Sequence, residues 1–63
     1  MTGAELKQRR EKLELSQEVL AKLLGTTQTT ISRNELGLSP IQNPTMMDLA
    51  LKTIEREYDA KRK

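Results

Sequence analysis

The stretch over residues 16–37 constrains the fold most, because its pattern describes two short helices joined by a tight turn. Ser16 is a favourable helix N-cap, and a row of apolar side chains follows it. Gly25 comes directly after the last of these, where a helix end often requires a left-handed backbone. The second helix, over residues 28–35, carries Ile31 as its one apolar residue. A helix this polar is better suited to recognition of a polar partner than to packing.

Capping signals on either side predict two more helices. Residues 2–5 show the capping-box pattern, and Asn43 followed by Pro44 marks the start of the last helix. The segment before Asn43 has no helical period, so we predict a loop whose apolar residues Leu38 and Ile41 return to the core. The sequence therefore predicts an all-α, compact bundle of four helices, over about residues 3–13, 17–24, 28–35 and 44–60.

Composition limits the function of the chain. With 63 residues, it is predicted to form a single domain over residues 1–63. Because Cys and His are both absent, the commonest metal ligand and general base are missing, and we predict no enzyme activity, no metal and no cofactor. Tyr58 is the only aromatic residue, which leaves no stacking platform for single strands. No apolar run approaches a membrane span, so we expect a soluble cytoplasmic protein.

The net charge of +2 is unevenly placed along the chain. Residues 1–14 carry a surplus of one positive charge, residues 15–37 are balanced, and residues 38–58 carry one net negative charge. The basic C-terminal end, residues 59–63, accounts for +2. Overall charge is therefore weak support for nucleic-acid binding.

The last helix carries more apolar surface than one core-facing side needs. One row contains Met46, Leu49, Ala50 and Thr53, and a second row, the predicted seam, contains Met47, Leu51, Ile54 and Tyr58. The seam has the 4-3-4 spacing of a short coiled coil. Two interpretations follow: a small domain wraps around a wide apolar stripe, or one row packs inward while the other pairs with a second copy. We predict the seam as the surface for a dimer or a protein partner.

A set of spaced residues runs through the second and third predicted helices, and residues 1–7 with Arg10 form a similar opening in the first. The set contains Leu15, Ser16, Gln17, Leu20, Ala21, Leu24, Gly25, Ile31, Ser32, Arg33, Glu35 and Gly37. With this spacing the chain resembles the phage-repressor/Cro-type helix-turn-helix proteins, the xenobiotic-response-element family, over residues 3–37. The resemblance implies a lambda-repressor-like fold. It departs at Asn34, where the family often has a large apolar residue, and we expect the hydrophobic contact to shift to Leu36.

The resemblance implies that helix 28–35 lies in the DNA major groove. Gln28 and Arg33 are then expected to bond adenine and guanine edges, and the shorter Thr29 and Ser32 to contact bases as well. The expected phosphate contacts are Gln17, Thr27 and Thr30. For each of these polar side chains, a solvated helix face or an N-cap is the plainer interpretation.

The resemblance also implies an ion pair between Arg10 and Glu35. From the sequence pattern alone, an equally good interpretation is that the stem of Arg10 lies along the core and its charged end reaches solvent. The implied function is a small, repressor-like transcriptional regulator, bacterial or phage-type and nucleoid-associated. It would bind double-stranded DNA as a homodimer, with half-sites roughly 34 Å apart. The alternative is a protein-binding module, such as a toxin-neutralising antitoxin, that uses the seam.

Overall fold

Four helices form the fold in the computed structural model, which describes the backbone of residues 1–62 and the side chains of residues 1–58. The helices are α1 (Gly3–Lys12), α2 (Gln17–Leu24), α3 (Gln28–Leu36) and α4 (Pro44–Arg62). No strand occurs in residues 1–62, and the predicted all-α bundle of four helices is confirmed. The side chains of the predicted basic end, residues 59–63, lie outside the described residues.

Each helix begins after a residue whose side chain caps it. In every case the side-chain oxygen accepts a hydrogen bond from the backbone N–H three residues later, at 3.1 or 3.2 Å. The four caps are Thr2, Ser16, Thr27 and Asn43. Since such a cap contributes about 1 kcal/mol, local sequence fixes where the helices start.

The turn after each of the first three helices contains a residue in the left-handed conformation. Gly25 follows α2 at φ 73°, and Gly37 follows α3 at φ 77°. The corresponding residue after α1 is Glu14, at φ 58°. A side chain in this conformation costs roughly 1–2 kcal/mol, so the turn after α1 is the strained one of the three.

The core takes one fully buried side chain from each helix: Leu6, Leu20, Ile31 and Leu51. Leu13, Leu15, Ala21 and Ile54 complete the buried cluster, and Met1, Leu24, Ile41, Met47 and Tyr58 pack against it. Ala21 is 2% exposed, and its small side chain sits where α2 meets the rest of the core. Ile31 is thus the apolar anchor of α3, as its pattern indicates.

The predicted seam of α4 belongs to this core. Leu51 and Ile54 are buried, and Met47 and Tyr58 pack against the cluster. Leu51 and Ile54 therefore offer little surface to a second copy or a protein partner, and only the partly buried Met47 and Tyr58 remain accessible in the seam. The other row is the open one, with Met46 and Leu49 exposed.

Helix α1 is fixed to both of its neighbours. Its first residue, Gly3, lies so close to α3 that a Cβ atom there would overlap the backbone carbonyl oxygen of Asn34. On the other side Arg9 donates to Asp48 at 2.7 Å and to Glu55 at 2.6 and 3.2 Å. Helix α1 therefore sets the position of α3 and of α4. Among the described residues, no helix has the length and apolar character needed to span a membrane.

Candidate nucleic-acid interface

Helix α3 buries one face and exposes the other. Ile31 is fully buried and Asn34 nearly so, which points the opposite side of the helix toward solvent. That side lines a shallow depression of about 350 Å³. The depression is lined by Gln17, Gln28, Thr29, Ser32, Arg33, Leu36 and Leu38. All four predicted base contacts, and one predicted phosphate contact, therefore lie on one continuous surface, the α3 surface.

Gln17 reaches the α3 surface from the start of α2. Its side-chain Nε2 donates to Glu35 Oε1 at 3.0 Å, so its amide is held in place by the last turn of α3. This bond orients the amide at the junction of the two helices. Gln17 is half-buried, in contrast to the exposed Gln28 at the start of α3.

Behind Gln17, Glu35 receives a bidentate ion pair from Arg10. Arg10 Nε donates to Glu35 Oε2 at 2.6 Å and Arg10 Nη2 to Glu35 Oε1 at 3.0 Å. Arg10 Nη1 also donates to the backbone carbonyl of Leu15 at 2.8 Å. The side chains are 12% exposed for Arg10 and 2% for Glu35. The guanidinium is therefore directed inward and bonded, with little of it left for DNA.

Burial by itself raises the pKa of the Glu35 carboxyl, but hydrogen bonds from Arg10 and Gln17 outweigh burial, and the pKa falls below the ordinary value of 4.5. The same hydrogen bond from Arg10 to Glu35, opposed by burial, raises the pKa of Arg10 above its ordinary value. Both groups stay charged at neutral pH. The pair is a fixed electrostatic tie between α1 and the end of α3.

Thr27 and Thr30 form a small unit at the start of α3. The Thr27 hydroxyl accepts from the Thr30 backbone N–H at 3.2 Å, and the two hydroxyl oxygens lie 2.9 Å apart. Both side chains are exposed. The N-cap interpretation of Thr27 is correct. Because one of the two hydroxyls donates to the other, one O–H group of the pair remains to donate to an external acceptor. Exposed N–H groups and hydroxyls at a helix start suit an anionic oxygen.

Asn34 has a role that the sequence did not reveal. Its Nδ2 donates to the backbone carbonyls of Ser39 and Pro40, at 3.1 and 3.4 Å, and so ties the loop before α4 to the inner face of α3. The expectation that the hydrophobic contact shifts to Leu36 is wrong, because Leu36 is exposed. Leu38 is exposed too, so of the two loop residues expected in the core only Ile41 packs there. A hydrogen-bonding amide replaces the apolar contact.

Arg9 is the second residue, after Asn34, whose role was not predicted from the sequence. The hydrogen bonds that Arg9 donates to Glu55 and Asp48, although opposed by burial, raise the pKa of Arg9 above its ordinary value. The bond from Arg9, together with one from Lys52, lowers the pKa of Asp48 below 3.8. Two adjacent arginines, Arg9 and Arg10, are thus both occupied by carboxylates of their own domain. The only signal in the sequence was an arginine on α1 together with two acidic residues seven positions apart, about two helical turns, on α4.

Together these features define a class. A short helix, a turn through a left-handed glycine and a second helix with a buried anchor and a polar outer face form a helix-turn-helix unit. In proteins of this class the second helix of the unit is the one that enters the DNA major groove. A family model described as Helix-turn-helix, of the Cro/C1 type, matches residues 6–53. The chain belongs to this family of DNA-binding, non-enzymatic regulators. No curated protein and no solved structure matches the chain.

Proposed function

We propose that this chain is a sequence-specific transcriptional regulator, repressor-like, which binds double-stranded DNA as a homodimer and inserts α3 into the major groove. One observation carries the proposal. The side chains able to read base edges share the single exposed face of a helix whose other face is anchored in the core. Binding of this kind would place the protein on the nucleoid, in the cytoplasm.

Direct readout is assigned to the first turns of α3. Gln28 and Arg33 carry planar groups that form paired hydrogen bonds, to adenine N6 and N7 and to guanine O6 and N7, respectively. Thr29 and Ser32 are short enough to let the helix approach the bases. Gln17, with Thr27 and Thr30, is assigned to the phosphates on either side.

Phosphate contacts in this proposal are mostly neutral. Gln17, Thr27 and Thr30 carry no charge, while Arg9 and Arg10 are held by carboxylates within the domain. The interface therefore depends on hydrogen bonds from amides, hydroxyls and helix N-termini more than on lysine and arginine. This agrees with the zero net charge of residues 15–37.

A homodimer is proposed because one α3 surface provides few base contacts, and paired half-sites double them. With the predicted seam packed against the core, we assign the dimer contact to the outer row of α4. Met46 and Leu49 in that row are 60% and 53% exposed, and Met46 also lines the groove between α3 and α4, together with Ile41, Met47 and Ala50. Sedimentation tests this: Met46→Ser/Leu49→Ser should shift the protein to monomer, whereas Val19→Ser/Leu23→Ser, on α2, should not.

The central experiment is selection of bound sequences from random duplex DNA. We expect a two-fold-symmetric site with half-site centres about 34 Å apart. On the selected site, Gln28→Ala or Arg33→Ala should cost about 1–3 kcal/mol and relax the base preference at one position. The matched controls Gln8→Ala and Arg56→Ala remove similar side chains from exposed positions on α1 and α4. Equal losses on selected and random DNA would reject direct readout by Gln28 and Arg33.

A further inference from the structure

Two leucines extend the α3 surface with apolar area that the domain leaves uncovered. Leu36 is 69% exposed and Leu38 72%, the highest values among the large hydrophobic side chains in the described part of the chain. Because neither side chain is buried, polar residues at these two positions would not have weakened the core. Exposed apolar groups rimmed by polar ones mark a recognition surface.

The geometry joins both leucines to the proposed reading surface. Leu36 continues the row that Gln28 and Ser32 begin, since the three recur every four residues along α3. At 1.5 Å per residue the row is about 12 Å long, similar to the rise of three to four base pairs. Leu38 lines the same depression, together with Arg33. A ligand that covers the polar part of the row therefore meets the leucines as well.

We propose that Leu36 and Leu38 contact thymine C5-methyl groups in the major groove and so contribute to sequence preference. Of the four bases, thymine alone presents an apolar group on the major-groove edge. A nonpolar side chain at the end of a row of hydrogen-bonding groups matches that group. The inference rests on the proposed function, because it requires that α3 lie in the major groove.

The probe is a set of duplexes carrying the selected site, in which single thymines are replaced by deoxyuridine. This change removes one methyl group and leaves every hydrogen-bonding group in place. For the unmodified protein we expect affinity to fall about fourfold at one or more positions per half-site, the loss expected for one buried methyl-sized group. Other thymines in the site should be insensitive to the change.

The Leu36→Ala/Leu38→Ala variant should bind the thymine and deoxyuridine duplexes equally, while it keeps the preferences read by Gln28 and Arg33. Val19→Ala/Leu23→Ala, which trims two exposed side chains of α2, should discriminate as the unmodified protein does. Thermal unfolding of each variant checks that the fold is intact, as the exposure of these side chains leads us to expect.

Two results would overturn the inference: no discrimination by the unmodified protein at any thymine, or discrimination that survives in the Leu36→Ala/Leu38→Ala variant. Surviving discrimination with unchanged affinity would assign the methyl contact to another residue. Surviving discrimination with affinity reduced equally for both duplexes would indicate that the leucines contact another part of the DNA, such as a sugar. A selection that yields no preferred duplex would instead refute the proposed function itself, so the two failures are distinguishable.

Discussion

The carboxylate of Glu35 offers the sharpest test of how this domain is held together. It is 2% exposed and accepts three hydrogen bonds, at 2.6 and 3.0 Å from Arg10 and at 3.0 Å from Gln17. Glu35→Gln keeps the size and shape of the side chain but replaces one acceptor oxygen with an NH2 group. That group would face a donor of Arg10 or Gln17, so at least one bond is lost.

The magnitude follows from the partners. A hydrogen bond to a charged group is worth about 1.5–3 kcal/mol, and breaking a buried ion pair costs about 3–5 kcal/mol. Arg10 keeps its bond to the Leu15 carbonyl and is 12% exposed, and both features reduce the loss of stability. We expect Glu35→Gln to lower the free energy of unfolding by about 2–3 kcal/mol. For a domain this small that corresponds to a fall in Tm of roughly 8–24 °C.

The dependence on pH gives an independent signature. The folded-state pKa of Glu35 is depressed below 4.5, so its contribution is fully present above that pH and is lost as the pH falls through the folded-state pKa. The difference in Tm between the unmodified protein and Glu35→Gln should therefore be constant at neutral pH and shrink below about pH 4.5. Asp48, whose pKa is also lowered, titrates in both proteins and cancels in the difference.

The assay is thermal unfolding followed by circular dichroism, from neutral pH to pH 2–3, with Glu57→Gln as the control at an exposed position of α4. A double-mutant cycle with Arg10→Met should give a coupling of at least about 1 kcal/mol, because the two side chains share one interaction. A Tm within about 3 °C of the unmodified protein, or strictly additive effects in the cycle, would refute this account of the pair.

Three further predictions follow from other contacts. Gly3→Ala should cost about 1–3 kcal/mol, because the new Cβ would overlap the Asn34 carbonyl oxygen; unchanged denaturant midpoints would show that α1 can move away. Asn34→Ala should cost about 1–2 kcal/mol by freeing the loop carbonyls of Ser39 and Pro40, and hydrogen exchange in that loop should quicken; an unaltered loop would contradict its role. The dependence of log affinity for DNA on log salt should be shallower than the slope of roughly −5 to −9 for six to ten charged phosphate contacts; a steeper slope would show that lysines and arginines dominate.

Local sequence determines the helices because their signals act over a few residues. The caps at Thr2, Ser16, Thr27 and Asn43 each bond a backbone N–H three residues away, so their effect needs no tertiary structure. The left-handed turn at Gly25 is equally local. These features made the four helices predictable to within two residues at each end.

The direction in which a helical residue faces depends on contacts with residues distant in sequence. Such contacts were harder to predict than the helices themselves. The two apolar rows of α4 look alike in spacing, and only packing against Leu6, Leu20 and Ile31 distinguishes the buried row from the exposed one. The hydrogen bonds of Asn34 could not be predicted, because its partners are backbone carbonyls and every residue carries one. The polar residues of the α3 surface were predictable. Ile31, the apolar anchor, fixes which side of α3 faces the core, and the polar side chains on the opposite side therefore stay exposed.

The two neighbouring arginines of α1 have a consequence for cooperativity. Adjacent residues on a helix point about 100° apart, so Arg9 bonds carboxylates of α4 while Arg10 bonds the end of α3. A rotation of α1 that relaxes one ion pair must strain or break the other. The unit that presents the α3 surface and the helix assigned to dimerisation therefore share one rigid support, and neither can open without disturbing the other. In the proposed dimer, this support would fix the distance between the α4 contact of each subunit and its α3, and so the separation of the two α3 helices.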